Sequence, residues 1–155
     1  KGKDLLFHPD GGVTRAEFLT MAMKTAKIPV LPESVGATAF PDDGEIPAAY
    51  RPYVIEAGRS GFLDGLFEGE AEAFSPNREV TLAEACVILR NILDAKAPES
   101  RPVFSDADQI PAFAEEAVYA LCEKEIIRPE NGAIRPTALL SRGKTAEILA
   151  RVLEG

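Results

Sequence analysis

The feature that most limits what this chain can fold into is a short phrase written three times. Val13 to Phe18 reads VTRAEF, Val80 to Ala85 reads VTLAEA, and Leu140 to Thr145 reads LSRGKT. The second copy follows the first by 67 residues and the third follows the second by 60. Extended upstream, the copies read FHPDGGVT from Phe7, FSPNREVT from Phe74 and IRPTALLS from Ile134. Each has an apolar residue, any residue, Pro, three variable positions, an aliphatic residue and a hydroxyl, without a gap. Self-similarity at such a period calls for a repeat architecture, in which each copy buries a face it cannot bury alone.

The phrase is a helix-start signal. Thr14 and Thr81 are good N-caps, and Glu17 and Glu84 stand three residues later, as a capping box requires. Val13 and Val80 hold the staple position before the cap. In the third copy Ser141 still caps, but Lys144 replaces the Glu and sets positive charge near the positive end of a helix dipole. Pro9, Pro76 and Pro136 keep the entering chain extended. The segments that follow carry apolar stripes at helical spacing, clearest as Leu82, Ala85, Cys86, Leu89, Ile92 and Leu93. Each helix is too short to stand alone in water, so the three stripes are expected to bury one another.

A second half-unit also recurs. FPDDGEIPAAYRPYVIEAGRSGFL, from Phe40 to Leu63, aligns without gaps on FSDADQIPAFAEEAVYALCEKEII, from Phe104 to Ile127, at an offset of 64. The shared Pro47 and Pro111 suit the first turn of a helix, and Pro52 predicts a short or kinked helix unless it too lies in the first turn. Gly61 is the expected stop of one copy. Glu125 stands in its place in the other, which predicts a different cap there. Asp42 and Asp106 are expected to cap loops or helix starts.

Among 155 residues, 46% are hydrophobic and 27% charged, as in an ordinary globular protein. No apolar run approaches the roughly 18 residues that span a bilayer, so membrane insertion is not expected. The chain begins at Lys1 rather than Met, as a mature product or an excised fragment would. A net charge of −8 argues against nucleic acid as a partner, since phosphate binding needs a basic surface. An anionic ligand would need a local basic pocket set against this acidic background. Cys86 and Cys122 share no CxxC spacing and read as small buried hydrophobes, and their pairing cannot be deduced from sequence. His8 has no partner for zinc. The segment from Asp106 fails the EF-hand pattern, because Ile110 and Ala117 stand where oxygen ligands are needed. No metal or cofactor is expected. Nor is catalysis: no nucleophile sits beside a base, and carboxylate pairs such as Glu115 and Glu116 fall on helix surfaces.

F-x-D, an amphipathic helix, a glycine-bounded turn such as GFLDG at Gly61 to Gly65, F-x-P and VTRAEF together resemble the S-layer homology domain. The resemblance covers nearly the whole chain. Residues 1–28 would be the second half of a first repeat, 40–95 a second repeat and 104–155 a third, together one domain over 1–155. It implies an all-α, pseudo-threefold spindle with a central three-helix bundle and long loops. It further implies a non-catalytic, extracellular module on the cell wall or S-layer. The implied ligand is a secondary cell-wall polysaccharide, often pyruvylated, held in grooves between repeats.

In that family the arginine of TRAE meets the ligand carboxylate. Arg15 and Arg142 match it, Lys144 adds charge, and Leu82 in the second copy should lose the function. An arginine suits the role, with forked donors beside free helix-start amides. The family's usual Trp-Ala is replaced by Ala49-Tyr50 and Phe113-Ala114, leaving Phe113 and Tyr50 to face a sugar ring. The first half of the first repeat is missing, and a second copy of the chain could supply it by self-association. Leu82, Ala49 and the acidity favour an alternative, a structural or protein-interaction scaffold that binds no glycan.

Overall fold

The computed structural model describes residues 10–31, 36–67 and 72–154. Phe7, His8 and Pro9 lie outside them. Among the described residues are five α-helices and no β-sheet: α1 (Arg15–Thr25), α2 (Arg51–Ser60), α3 (Leu82–Leu93), α4 (Glu115–Glu123) and α5 (Arg142–Glu154). The fold is all-α. Helices α1, α3 and α5 each begin one residue after the hydroxyl of a repeated phrase.

The starts form as their chemistry requires. The Thr14 and Thr81 hydroxyls accept from the Glu17 and Glu84 amides, and both carboxylates return the bond to the cap amide. The Ser141 hydroxyl accepts from the Lys144 amide at 3.0 Å, but a lysine cannot return it, so this cap is one-sided. Val13, Val80 and Leu140 are buried at the staple position.

The amides left free at each helix start are taken by a neighbouring phrase. Arg15 donates its amide to the Arg78 carbonyl, Leu82 to that of Ala138, and Arg142 to that of Gly11. Ala16 and Ala83 donate in the same way to Pro76 and Pro136. The three phrases thus close a ring of backbone bonds, with bridges between Thr14 and Glu79, Thr81 and Leu139, and Gly12 and Ser141. The helices themselves are arranged less evenly. Helix α1 packs against α2, α3 and α5, and α3 packs most extensively against α4, while among the described residues α3 and α5 do not pack together.

The helix ends also repeat. Ile28, Phe62, Ala95 and Ile126 each donate an amide to the carbonyl five residues back, the long bond of a Schellman motif. The residue before each is left-handed: Lys27, Gly61, Asp94 and Glu125, with φ of 59°, 80°, 52° and 63°. Only one is a glycine. Glu125 therefore does not use the different cap its side chain suggested; the tertiary setting forces the same conformation on a residue that disfavours it. Pro52 sits in the first turn of α2, where its missing amide costs nothing and no kink follows.

Asp42 and Asp106 join the two half-units. Asp42 accepts from the amides of Phe74 and Ser75 at 2.9 and 2.8 Å, and Asp106 from those of Ile134 and Arg135 at 3.0 and 2.8 Å. Each carboxylate fixes the apolar-x-Pro turn that leads into the next helix, and Ser75 and Arg135 in those turns are left-handed. From the second helix of each pair, Asn91 donates to the Phe62 carbonyl and Arg151 to that of Ile126, residues 64 apart. The core between them holds Phe18, Phe74, Leu19, Met23, Ile88, Leu89, Leu121 and Ile148. Cys86 is buried and free, and Cys122 is free and half-buried; burial pushes the Cys122 thiol up to about 11.

Replacing Glu125 by Gly removes the left-handed penalty and keeps the cap. The variant should be more stable by about 1 kcal/mol, a rise in Tm of about 2–4 °C in a thermal melt.

Candidate functional site

Three joints link the helix starts, and they differ in one pair of side chains. At the α1–α3 joint Arg15 occupies the first turn of α1. Its guanidinium donates to the Phe74 carbonyl at 2.9 Å and to Glu84 Oε2 at 2.6 Å, with the Phe67 ring 5.6 Å away. Arg15 is 5% exposed. Glu84 does two things: Oε1 closes its own capping box at 3.0 Å while Oε2 takes Arg15, with Arg78 also 3.7 Å from it. Burial works against the Glu84 charge, but the hydrogen bonds from Arg15 and the Thr81 amide prevail and hold the carboxyl below its ordinary value.

The α5–α1 joint repeats the pattern more loosely. Arg142 reaches Glu17 Oε2 at 3.4 Å, and Glu17 Oε1 closes the box of α1 at 2.9 Å. Arg142 keeps 39% of its side chain exposed.

At the α3–α5 joint both members have changed. Leu82 stands where α1 and α5 carry Arg15 and Arg142, and Lys144 stands where Glu84 and Glu17 stand. No tie forms, and this is the pair of helices that do not pack together. A groove of about 170 Å³ opens instead, lined by Leu82, Ile127, Ile134 and Ala138 on its apolar side and by Arg128, Arg135, Lys144 and Arg151 around them. Ile134, Ala138 and Lys144 are the counterparts, 60 residues on, of Phe74, Arg78 and Glu84, which surround Arg15. The groove is thus the space that an arginine fills at the first joint.

Four cations around one groove are a strong concentration on a chain of net charge −8. Two carboxylates answer them in part. Lys144 Nζ lies 2.9 Å from Glu130 and 3.7 Å from Glu147, and Arg151 lies 2.9 Å from Glu147. The Lys144 hydrogen bond holds the Glu130 carboxyl below its ordinary value. A second hollow, between residues 37–40 and α2, is lined by Phe40 and Phe67 with one Arg59 and one Asp64, and concentrates no charge.

The structure brings Lys144 into the cationic groove and leaves the other sequence candidates elsewhere. Arg15 is enclosed in its pair with Glu84. Arg142 sits at the neighbouring joint. Tyr50 precedes α2 and Phe113 lies in the turn Ala112–Ala114; both pack half-buried against the core and neither lines the groove. Arg128, Arg135 and Arg151 were missed because each sits at a variable position of the repeat. The signal available was the joint departure at Leu82 and Lys144.

Residues 103–143, from α4 through the groove loop to the start of α5, match the family model described as S-layer homology domain. This part of the chain is similar to the S-layer homology domain. A search of curated proteins gives no match. S-layer homology domains are binding modules of the cell wall and cell surface, so the match points to cell-wall anchoring in general. Among the described residues no helix is long and apolar enough to cross a membrane, and no three metal-ligating side chains cluster.

Removing Arg15 strands the Glu84 carboxylate in the core. Arg15→Ala should cost about 3–5 kcal/mol, read as a lower urea midpoint. The pH dependence has a defined sign. Glu84 and Asp106 titrate below their ordinary values of 4.5 and 3.8 in the folded chain. Their contribution is complete above those values and is lost as pH falls through the folded-state pKa. The urea midpoint should hold from pH 7 to pH 5.5 and drop below about pH 4, with a shallower drop in Glu84→Gln.

Proposed function

We propose that the chain is a non-catalytic, extracellular anchoring module that binds an anionic secondary cell-wall polysaccharide, with the residues at 1–28, 40–95 and 104–155 acting as one unit. The observation that carries this reading is the cationic groove at the α3–α5 joint, whose lining from Ile127 to Ser141 belongs to the segment that matches the S-layer homology domain. Lys144 and Arg135 supply charge for a carboxylate, and the apolar floor of Leu82, Ile127 and Ile134 accepts the face of a sugar ring. Arg142 extends the positive strip along the start of α5. A pyruvate ketal suits such a groove, because it sets a carboxylate on a compact apolar carbon. Arg15 serves the fold in this reading, as a buried tie between helix starts.

Sedimentation with purified cell walls tests the proposal. The wild-type chain should co-sediment, and the charge-reversed pair Lys144→Glu with Arg135→Glu should lose at least tenfold in retention while keeping its helical circular dichroism. Retention unchanged by the reversal would remove the groove from the site. Absence of wall binding in the wild type would favour a structural or protein-interaction scaffold, a reading supported by the enclosure of Arg15.

A further inference from the structure

The half-unit that recurs at an offset of 64 residues is filled differently in its two copies. In the second copy the Tyr119 ring, 6% exposed, stacks on Phe104 with centroids 5.5 Å apart and planes 12° from parallel. The Arg101 guanidinium also lies over that ring, 4.9 Å from its centroid. In the first copy the counterparts of Phe104, Tyr119 and Arg101 are Phe40, Ile55 and Ala37, and Gly58 stands for Cys122. The platform is kept and the ring is gone. What remains is the hollow between residues 37–40 and α2, about 410 Å³, lined by Phe40, Val54, Ile55, Gly58, Leu63 and Phe67 among others. An apolar cavity of about 150 Å³ already holds a benzene ring. Gly58 keeps the hollow open. A Cβ there would meet no neighbouring atom within 4 Å, so packing does not call for a glycine, and a glycine weakens a helix interior.

We infer that this hollow is a docking site for one uncharged aromatic side chain of a partner protein, its ring laid on Phe40 as Tyr119 lies on Phe104. The other copy of the half-unit is the template for the occupant: an aromatic pair gains more than the area it buries. One cation and one carboxylate at the rim, Arg59 and Asp64, give no net charge to hold an ion, and Arg59 already lies 3.2 Å from Glu56. The template ring arrives on a peptide chain, and the hollow exceeds one ring by enough to seat flanking main chain. A second copy of this chain does not supply the ring, since among the described residues every aromatic side chain is buried or half-buried. With Ala37 in place of Arg101, the outer face of the ring is left for the partner to cover. The hollow lies within one repeat and shares no lining residue with the cationic groove, so the inference does not depend on the anchoring reading.

Amide chemical-shift titration of the whole chain tests this with three probes: a capped Gly-Tyr-Gly peptide, a capped Gly-Leu-Gly peptide and p-cresol. The tyrosine peptide should shift residues 37–40 and 54–67, which line the hollow, and its own ring protons should move upfield, as stacking on Phe40 requires. The leucine peptide should bind about two- to tenfold more weakly, because it forfeits the ring pair. p-Cresol, a ring without main chain, should also bind more weakly than the tyrosine peptide; equal or tighter binding would make this a site for a free phenol and overturn the docking of a protein. Ile55→Tyr rebuilds the ring seen in the other copy; it should fill the hollow, raise Tm by about 2–4 °C and abolish binding. Gly58→Leu gives the same answer should the rebuilt ring fail to fold, since its side chain enters open space and strengthens the helix. Tyrosine-peptide binding that survives either folded variant, equal binding of the leucine peptide, or no shift with the tyrosine peptide overturns the site.

Discussion

The structure depends on one carboxylate doing two jobs. In Glu84 and Glu17 a single side chain closes the capping box of its own helix with one oxygen and takes an arginine from a neighbouring helix start with the other. Helix initiation and helix association are thus coupled through the same residue. A cap alone contributes about 1 kcal/mol, and a box that also neutralises a buried guanidinium is worth more, because losing either partner leaves a charge stranded.

That coupling explains why the three helix pairs are unequal. The backbone ring among the phrases closes at all three joints, since it uses amides and carbonyls that every residue has. The side-chain tie closes at only two. Where Arg15 and Arg142 meet their carboxylates, α3 and α5 pack on α1. Where Leu82 faces Lys144, the helices stay apart and a cationic groove takes the place of the tie. One substitution of each partner converts an internal ion pair into an opening lined by positive charge.

The helix ends show how far tertiary context overrides local preference. Four ends adopt the same left-handed cap, and three of them do so with Lys27, Asp94 and Glu125, at roughly 1 kcal/mol each. The bends must fall at those positions for Asn91 and Arg151 to reach the carbonyls just beyond two of them, and for Asp42 and Asp106 to hold the turns that follow. A strained residue persists when several hydrogen bonds at once fix the geometry around it.

From the sequence alone one could read the helix starts, the apolar stripes, the offsets of 60, 64 and 67 residues, and the resemblance carried by VTRAEF. Those features are local or periodic, and hydrogen-bonding chemistry within a few residues determines them. Which arginine is buried and which groove is open was not legible in that way. Arg15 and Arg142 occupy the same place in their phrases, yet one is enclosed and the other half-exposed. Leu82 reads as a lost site and Lys144 as a poor cap until the fold sets them side by side. The physical reason is that electrostatic pairing depends on what lies across the joint, 60 or more residues away, and only the packed chain brings those partners together.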